Sequence, residues 1–304
     1  MKKIFIPLLA LLLLPGILFV SYQLMPSIDY SSKPTKLNNY NTNRISFHFY
    51  ASPYGVNWDS PKALFGSVFS NFFFSKKNRK LGHVNVEIEC LGNKTESNFY
   101  DLIGAYGKEM NNLKNLFVKE IGFGVMLTRY KGGLETIEEN LEEMNIKQKT
   151  GEVRTLTYFI NNQSCHQAAN YIRHYRQSIS ANYYAGLNYH PKTNEGAGCA
   201  KLAESIHQSI NLPNEIVTKW ERKILVPKSL VGTENKKVSV LNMLFDDNFH
   251  RWANPNEENL SIQFWDLDLA FEKIKSLDLK KIESPSKRVQ KEKSFELIID
   301  TRKV

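Results

Sequence analysis

Cysteine is scarce in this chain: three in 304 residues, at Cys90, Cys165 and Cys199. That is too few for a disulfide scaffold, and an odd number leaves at least one thiol unpaired even in an oxidising compartment. Histidine is sparse as well. None of the seven forms a close ligand pair with a cysteine or carboxylate at a known spacing, so neither a metal site nor a cofactor is expected. Internal repeats are absent, and no nucleic-acid-binding motif accompanies the formal charge of +9, which removes nucleic acid from the expected partners. What is present, 42% hydrophobic and 12% aromatic residues, fits a packed globule rather than a disordered chain.

There is one long apolar run. Ile4 to Leu24 follows Lys2 and Lys3, and only Ser21, Tyr22 and Gln23 interrupt it near its end. Such a run suits a secretory signal and is long enough for a membrane-spanning helix, which needs about 20 residues. Residues 1–25 are therefore expected to be a signal peptide or an N-terminal membrane anchor. The anchor is preferred because residues 20–27 lack a clean small-x-small cleavage site. In either case the lysines stay inside and the body is delivered outward, giving a cell-envelope protein, inner-membrane anchored or periplasmic and secreted. Residues 26–43, rich in Ser, Asn and Thr, read as a linker. The lysine clusters read as solvated surface; attraction to anionic headgroups or wall polymer is the sharper alternative.

Periodicity places the elements. Arg44 to Tyr50 alternates as a strand, and Gly82 to Cys90 does so more clearly, with Val84, Val86, Ile88 and Cys90 on one face and His83, Asn85, Glu87 and Glu89 on the other. Lys62 to Phe74 is helical or mixed and strongly aromatic, and its Phe69 to Phe74 stretch reads as core or membrane-facing surface. Further strands are expected over residues 98–106, 123–129, 154–160, 238–241, 260–265 and 295–299. Helices are expected over 134–144, over 164–177 with Ser164 as cap, from Cys199 to the residues before Pro213, and across 267–277. The whole is a mixed α+β chain, with a core over residues 44–212 and an extension over 213–304 packed on it.

Two residues have chemical promise together. Cys199 opens a helix entered through Gly196-Ala197-Gly198, where the positive end of the helix dipole and free N–H groups favour a thiolate. His83 stands at the mouth of a strand and can take the thiol proton. The glycines let the chain turn sharply, through positive φ or through close approach of substrate, so bulk at Gly198 is expected to hurt. Cys165 is a rival nucleophile near a helix start, but His166 is its sequence neighbour and diverges from it on a helix. A Cys90–Cys165 disulfide would leave Cys199 as the lone thiol; spacing leaves that open.

The order Gly82-His83-Val84, helix 164–176, Tyr184 to Leu187, then Gly196-Ala197-Gly198-Cys199 and its helix resembles the circularly permuted papain-like cysteine hydrolases. That superfamily includes lecithin:retinol acyltransferase and permuted relatives of cell-wall amidases and endopeptidases. Gly198 departs from the asparagine that members often carry before the cysteine. The resemblance implies an antiparallel sheet packed against the cysteine-bearing helix, Cys199 as nucleophile, His83 as base, and a third polar residue from the adjacent strand. Candidates for that third residue are Glu96, Asn98, Asp101 and Glu87. Glu87 lies roughly 13 Å along the strand from His83, and Asn98 is preferred. The function implied is an envelope cysteine hydrolase or acyltransferase acting on an amide or ester through a Cys199 thioester. Its partners would be a peptidoglycan peptide or a lipid acyl group, with the membrane reached through the N-terminal segment. The alternative is a non-catalytic envelope binding or scaffold protein retaining the fold.

Overall fold

A computed structural model describes residues 42–302 except 78, 93–97, 108–113, 192–194 and 292. The expected signal or anchor and nearly all of the linker lie outside the described residues. Among the described residues no helix is long and apolar enough to cross a membrane.

Strand β1, Arg44–Tyr50, is the hub. It pairs antiparallel with β2, His83–Cys90, on one side and with β6, Val153–Phe159, on the other. Beyond β2 lies β3, Phe99–Ile103. Beyond β6 come β11, Ser294–Asp300, and then β10, Ser286–Lys291, giving the order β10-β11-β6-β1-β2-β3. An antiparallel sheet was expected, but β11 runs parallel to β6, so the sheet is mixed. Well over a hundred residues separate these two strands, and a connection that long imposes neither direction, whereas a tight turn would force antiparallel pairing. Residues beyond 213 thus complete the main sheet. Two smaller sheets join β4, Ala105–Gly107, β5, Arg129–Leu134, and β7, Tyr183–Ala185, and separately β8, Glu221–Pro227, with β9, Asn259–Trp265.

The strand alternation decides which side is core. Ile45, Phe47 and Phe49 of β1 join Val84, Val86 and Ile88 of β2 in a buried apolar layer. Helix α3, Asn162–Gln177, presses Cys165, Ala168, Ala169 and Ile172 onto it, and α4, Cys199–Ser209, presses Leu202, Ala203 and Ile206. The α4 positions follow Cys199 at i+3, i+4 and i+7, a single helical stripe. A disulfide joins Cys90 to Cys165, pinning β2 to α3 and leaving Cys199 as the free thiol among the three cysteines.

The opposite face is polar yet equally buried. Arg44 meets Glu87 at 3.1 Å and Glu89 at 3.0 Å, and His48 lies 3.4 Å from Glu87. Burial pushes the Glu87 carboxyl up, but His48 and Arg44 outweigh it and hold the group at about 2. Helix α2, Ile137–Thr150, covers part of this face with Leu141 and Met144 against Leu102.

Several expected boundaries differ. A 3₁₀ turn fills Phe123–Leu127 where a strand was expected, because the flanking Ile121 and Gly122 make only single bridges, to Val238 and Val231, and no ladder propagates. Residues 238–241 likewise do not form a strand. Ser239 caps the N–H of Asn242, and the local cap winds helix α5, Val240–Leu244. Helix α3 starts earlier than expected, with Asn161 rather than Ser164 as its cap. Leu134 ends β5 instead of opening α2, whose capping box is Thr136 with Glu139. The aromatic segment expected to be helical or mixed over residues 62–74 is helical throughout as α1, Pro61–Phe74, capped by Ser60 with Pro61 in its first turn. Helix α6, Leu267–Ser276, packs Ala270 and Ile274 into the main core.

Candidate active site

His83 and Cys199 come together although they lie far apart in sequence. β2 begins three residues before its first pairing with β3, at Val86↔Ile103, so His83, still paired with Tyr50 of β1, lies beyond the end of β3. Helix α4 lies along the apolar face of β2 and delivers its first residue, Cys199, to the same spot. The imidazole and the Val84 backbone N–H both act on the Cys199 sulfur and favour its thiolate. Both side chains are buried, Cys199 at 6% and His83 at 4% exposure.

Glu135 supplies the third member. Its Oε2 lies 3.1 Å from His83 Nε2, which leaves Nδ1 for the thiol. The carboxylate sits between β5 and the Thr136 cap of α2, so a short strand-to-helix connection fixes it. Its other oxygen, Oε1, accepts from Arg79 Nη2, and Arg79 Nε bonds both Glu143 oxygens at 2.6 Å. Gly104 makes room for this layer: a Cβ there would lie 2.2 Å from Glu135 Oε2 and 2.3 Å from Asn85 Oδ1. Asn85 is held in turn by its amide on Asn140 Oδ1 at 2.7 Å.

Charge follows from this arrangement. Burial pushes the Cys199 thiol up, but His83, the Val84 amide and Arg79 together bring it below the ordinary thiol value. Burial and Arg79 pull His83 down, while the Glu135 carboxylate and the thiolate more than offset them and raise it to about 10. Burial works against Glu135 too, yet His83 and Arg79 hold it at about 2. Each of these shifts acts toward a thiolate–imidazolium pair beside a carboxylate.

Tyr184, on β7, completes the surroundings. Its ring stacks on Tyr130 with centroids 5.5 Å apart, and burial with the neighbouring Cys199 thiolate pushes its phenol well above the ordinary value. Helix α4 has no side-chain cap at Gly198. Its first N–H groups therefore lack intrahelical acceptors and remain free for an anion.

The two glycines divide the expected roles. Positive φ belongs to Gly196, at 91°, whereas Gly198 has an ordinary φ of −75°. What Gly198 provides is space: a Cβ there would stand 3.1 Å from the Ala185 carbonyl and 3.2 Å from the Tyr184 hydroxyl. Gly198→Val should therefore shift Tyr184 before it strains the turn. We expect the rate of Cys199 modification by a bulky acylating probe to fall by at least tenfold, with a melting-temperature loss of only a few degrees. Equal probe rates in the variant and the parent would reduce this glycine to a packing role.

Asn98 does not meet His83. It is exposed, accepts from the Gly92 N–H at 2.6 Å, and precedes Phe99, the partner of Cys90 at the far end of β2. Seven residues of strand, roughly 23 Å, separate that end from His83. Asp101 is bound by Arg176 at 2.6 Å and Glu87 by Arg44; Glu96 lies outside the described residues. Sequence reasoning missed Glu135 and Arg79, and gave Tyr184 no role of its own. The one local sign was the position of Glu135 immediately before a capping box. Cys165, the rival nucleophile, is consumed in the disulfide.

Among the described residues no group of three or more His, Cys, Asp or Glu side chains is arranged to hold a metal ion. The constellation can deprotonate its own thiol, present the thiolate at a helix N-terminus, and return a proton through His83. No protein-family model, curated protein or solved structure matches this chain.

Proposed function

We propose that the protein is a cysteine hydrolase or acyltransferase of permuted papain-like fold, acting on an ester or amide outside the cytoplasmic membrane. The observation that carries the reading is the buried line Cys199–His83–Glu135, with the sulfur at an uncapped helix start. Two features support the location: the Lys2-Lys3 apolar segment, and a core disulfide of the kind that persists in oxidising compartments.

In the proposed reaction the Cys199 thiolate attacks the carbonyl carbon, and the π electrons move onto oxygen. The Cys199 N–H and the Tyr184 hydroxyl are the donors placed to hold that oxyanion. Collapse breaks the bond to the leaving group, which takes the proton of the His83 imidazolium, and a thioester remains. Neutral His83 then accepts a proton from water, or from an alcohol or amine acceptor, as that nucleophile attacks the thioester. Release of the acyl product restores the thiolate and imidazolium. Glu135 holds the ring in the tautomer both steps need.

The test is alkylation of Cys199 by iodoacetamide as a function of pH, followed by mass, with Cys199→Ala as the blank. A thiol of pKa about 8.5 slows roughly 75-fold from pH 8 to pH 6. Cys199, with its thiol lowered, should slow far less. Ester turnover should in addition fall as pH rises through about 10, where His83 loses the proton that the leaving group needs. An ordinary thiol profile would return the chain to the class of binding or scaffold proteins.

A further inference from the structure

The resemblance embraces enzymes that cut peptide amides and enzymes that move lipid acyl groups, and it does not choose between them. The surroundings of the thiol do. A cavity of about 280 Å³ runs from Cys199 and Tyr184 along helix α1. Leu64, Phe65, Val68, Phe69, Phe72 and Phe73 line it, in pairs spaced four residues apart, so one whole helix face looks into the cavity. Only Leu64 of these is buried; the other five are partly exposed, an apolar stripe that the protein itself leaves half-covered. Phe123, Met243 and Phe264 line it as well.

Away from the Cys199–Tyr184 end, the side chains of Lys201, Asp268, Asp266, Ser52 and Thr128 are already engaged. Lys201 Nζ binds Glu204 at 2.9 Å and the Gln263 carbonyl at 2.7 Å. Asp268 accepts from the N–H groups of Ser52 and Val56, and Asp266 binds Arg222 and the Leu269 N–H. The Ser52 hydroxyl accepts from the Gly82 N–H, and Thr128 donates to the Val125 carbonyl. A peptide would bring amides and charges into this space with few partners to receive them, at a desolvation cost. A hydrocarbon chain needs none.

We infer, on the reading that Cys199 is the nucleophile, that the acyl group it accepts is a long unbranched hydrocarbon chain lying along α1. The thioester forms at the inner end of the cavity, and the alcohol or amine leaving group departs toward the His83 side.

The experiment uses the full-length chain in cholate, a surfactant without a long alkyl chain, and 4-nitrophenyl esters of acetate, octanoate and dodecanoate. Acylation of Cys199 is followed by intact mass. Burial at about 0.8 kcal/mol per methylene corresponds to roughly fourfold in rate per methylene until the cavity is filled. The dodecanoyl-to-acetyl ratio should therefore exceed about a hundredfold, and Val68→Trp, which narrows the cavity, should cut that ratio at least tenfold. Should that variant fail to fold, competition by free dodecanoate against acetylation of the parent protein replaces it. Ready acylation with no dependence on chain length overturns the inference and leaves the nucleophile standing. So does a dimer in sedimentation that covers the α1 face and excludes the long esters. A separate arm titrates Cys199→Ala with a fluorescent undecanoic acid. Binding there, with no ester acylating the parent, would refute the proposed reaction and keep the acyl site; no binding and no acylation would refute both.

Discussion

Glu135→Gln should slow acylation of Cys199 by two to four orders of magnitude, about 3–5 kcal/mol of barrier, while the protein stays folded. Glutamine keeps the size and one acceptor oxygen, so the loss isolates charge and tautomer. Without the carboxylate, His83 retains only the thiolate to hold its proton against burial and Arg79. Its pKa should fall, and the thiolate it stabilises should become scarcer. The pH limb of ester turnover at high pH should move to lower pH in the variant, and iodoacetamide alkylation at pH 6 should slow. A structural role alone would change neither limb. A wild-type pH profile in Glu135→Gln would remove the carboxylate from the mechanism and leave a two-residue site. Arg79 is the background to this experiment: it neutralises Glu135 and Glu143, so its own replacement would mix electrostatic and folding effects.

Arg44→Met should destabilise the fold by about 3–5 kcal/mol without altering the site directly. Arg44 is fully buried in the hub strand, and its guanidinium answers two carboxylates, Glu87 and Glu89. Removing one partner of a buried set leaves uncompensated charge, which costs more than the intact set contributes. The sign with pH follows from Glu87, whose folded value of about 2 lies below its ordinary carboxylate value. In the parent protein its contribution is present above about 4.5 and is lost as pH falls toward 2. In Arg44→Met that acid loss should shrink, because the carboxylate would fold protonated more readily. Chemical denaturation at pH 7 and pH 3 reads both effects. A variant within 1 kcal/mol of the parent at pH 7 would show that water or repacking satisfies the carboxylates.

The amino-acid pattern determined much of the local framework. Period-two alternation located β1 and β2 and sorted their faces correctly, with Val84, Val86 and Ile88 against the helices. The i, i+3, i+4, i+7 stripe after Cys199 located α4 and placed its first residue at an uncapped end. These signals are written within a few residues, because backbone periodicity and capping act over one or two turns. Where two local signals competed the outcome was less readable, as at Ser239, where a side-chain cap overrode an extended pattern.

Tertiary structure alone decided the company His83 keeps. Glu135 is 52 residues away and approaches because Gly104 leaves it space, and Arg79 reaches it across 56 residues. Asn98 was the sequence preference because strands pair with neighbours, yet antiparallel register carried it to the opposite end of β2. Whether Cys90 would find Cys165, whether β11 would run parallel to β6, and whether the phenylalanines of α1 would close a core or line a cavity were equally undecided by spacing. Each depends on which distant surfaces meet, and that is set by the sum of burial over the whole chain, a quantity no short segment contains.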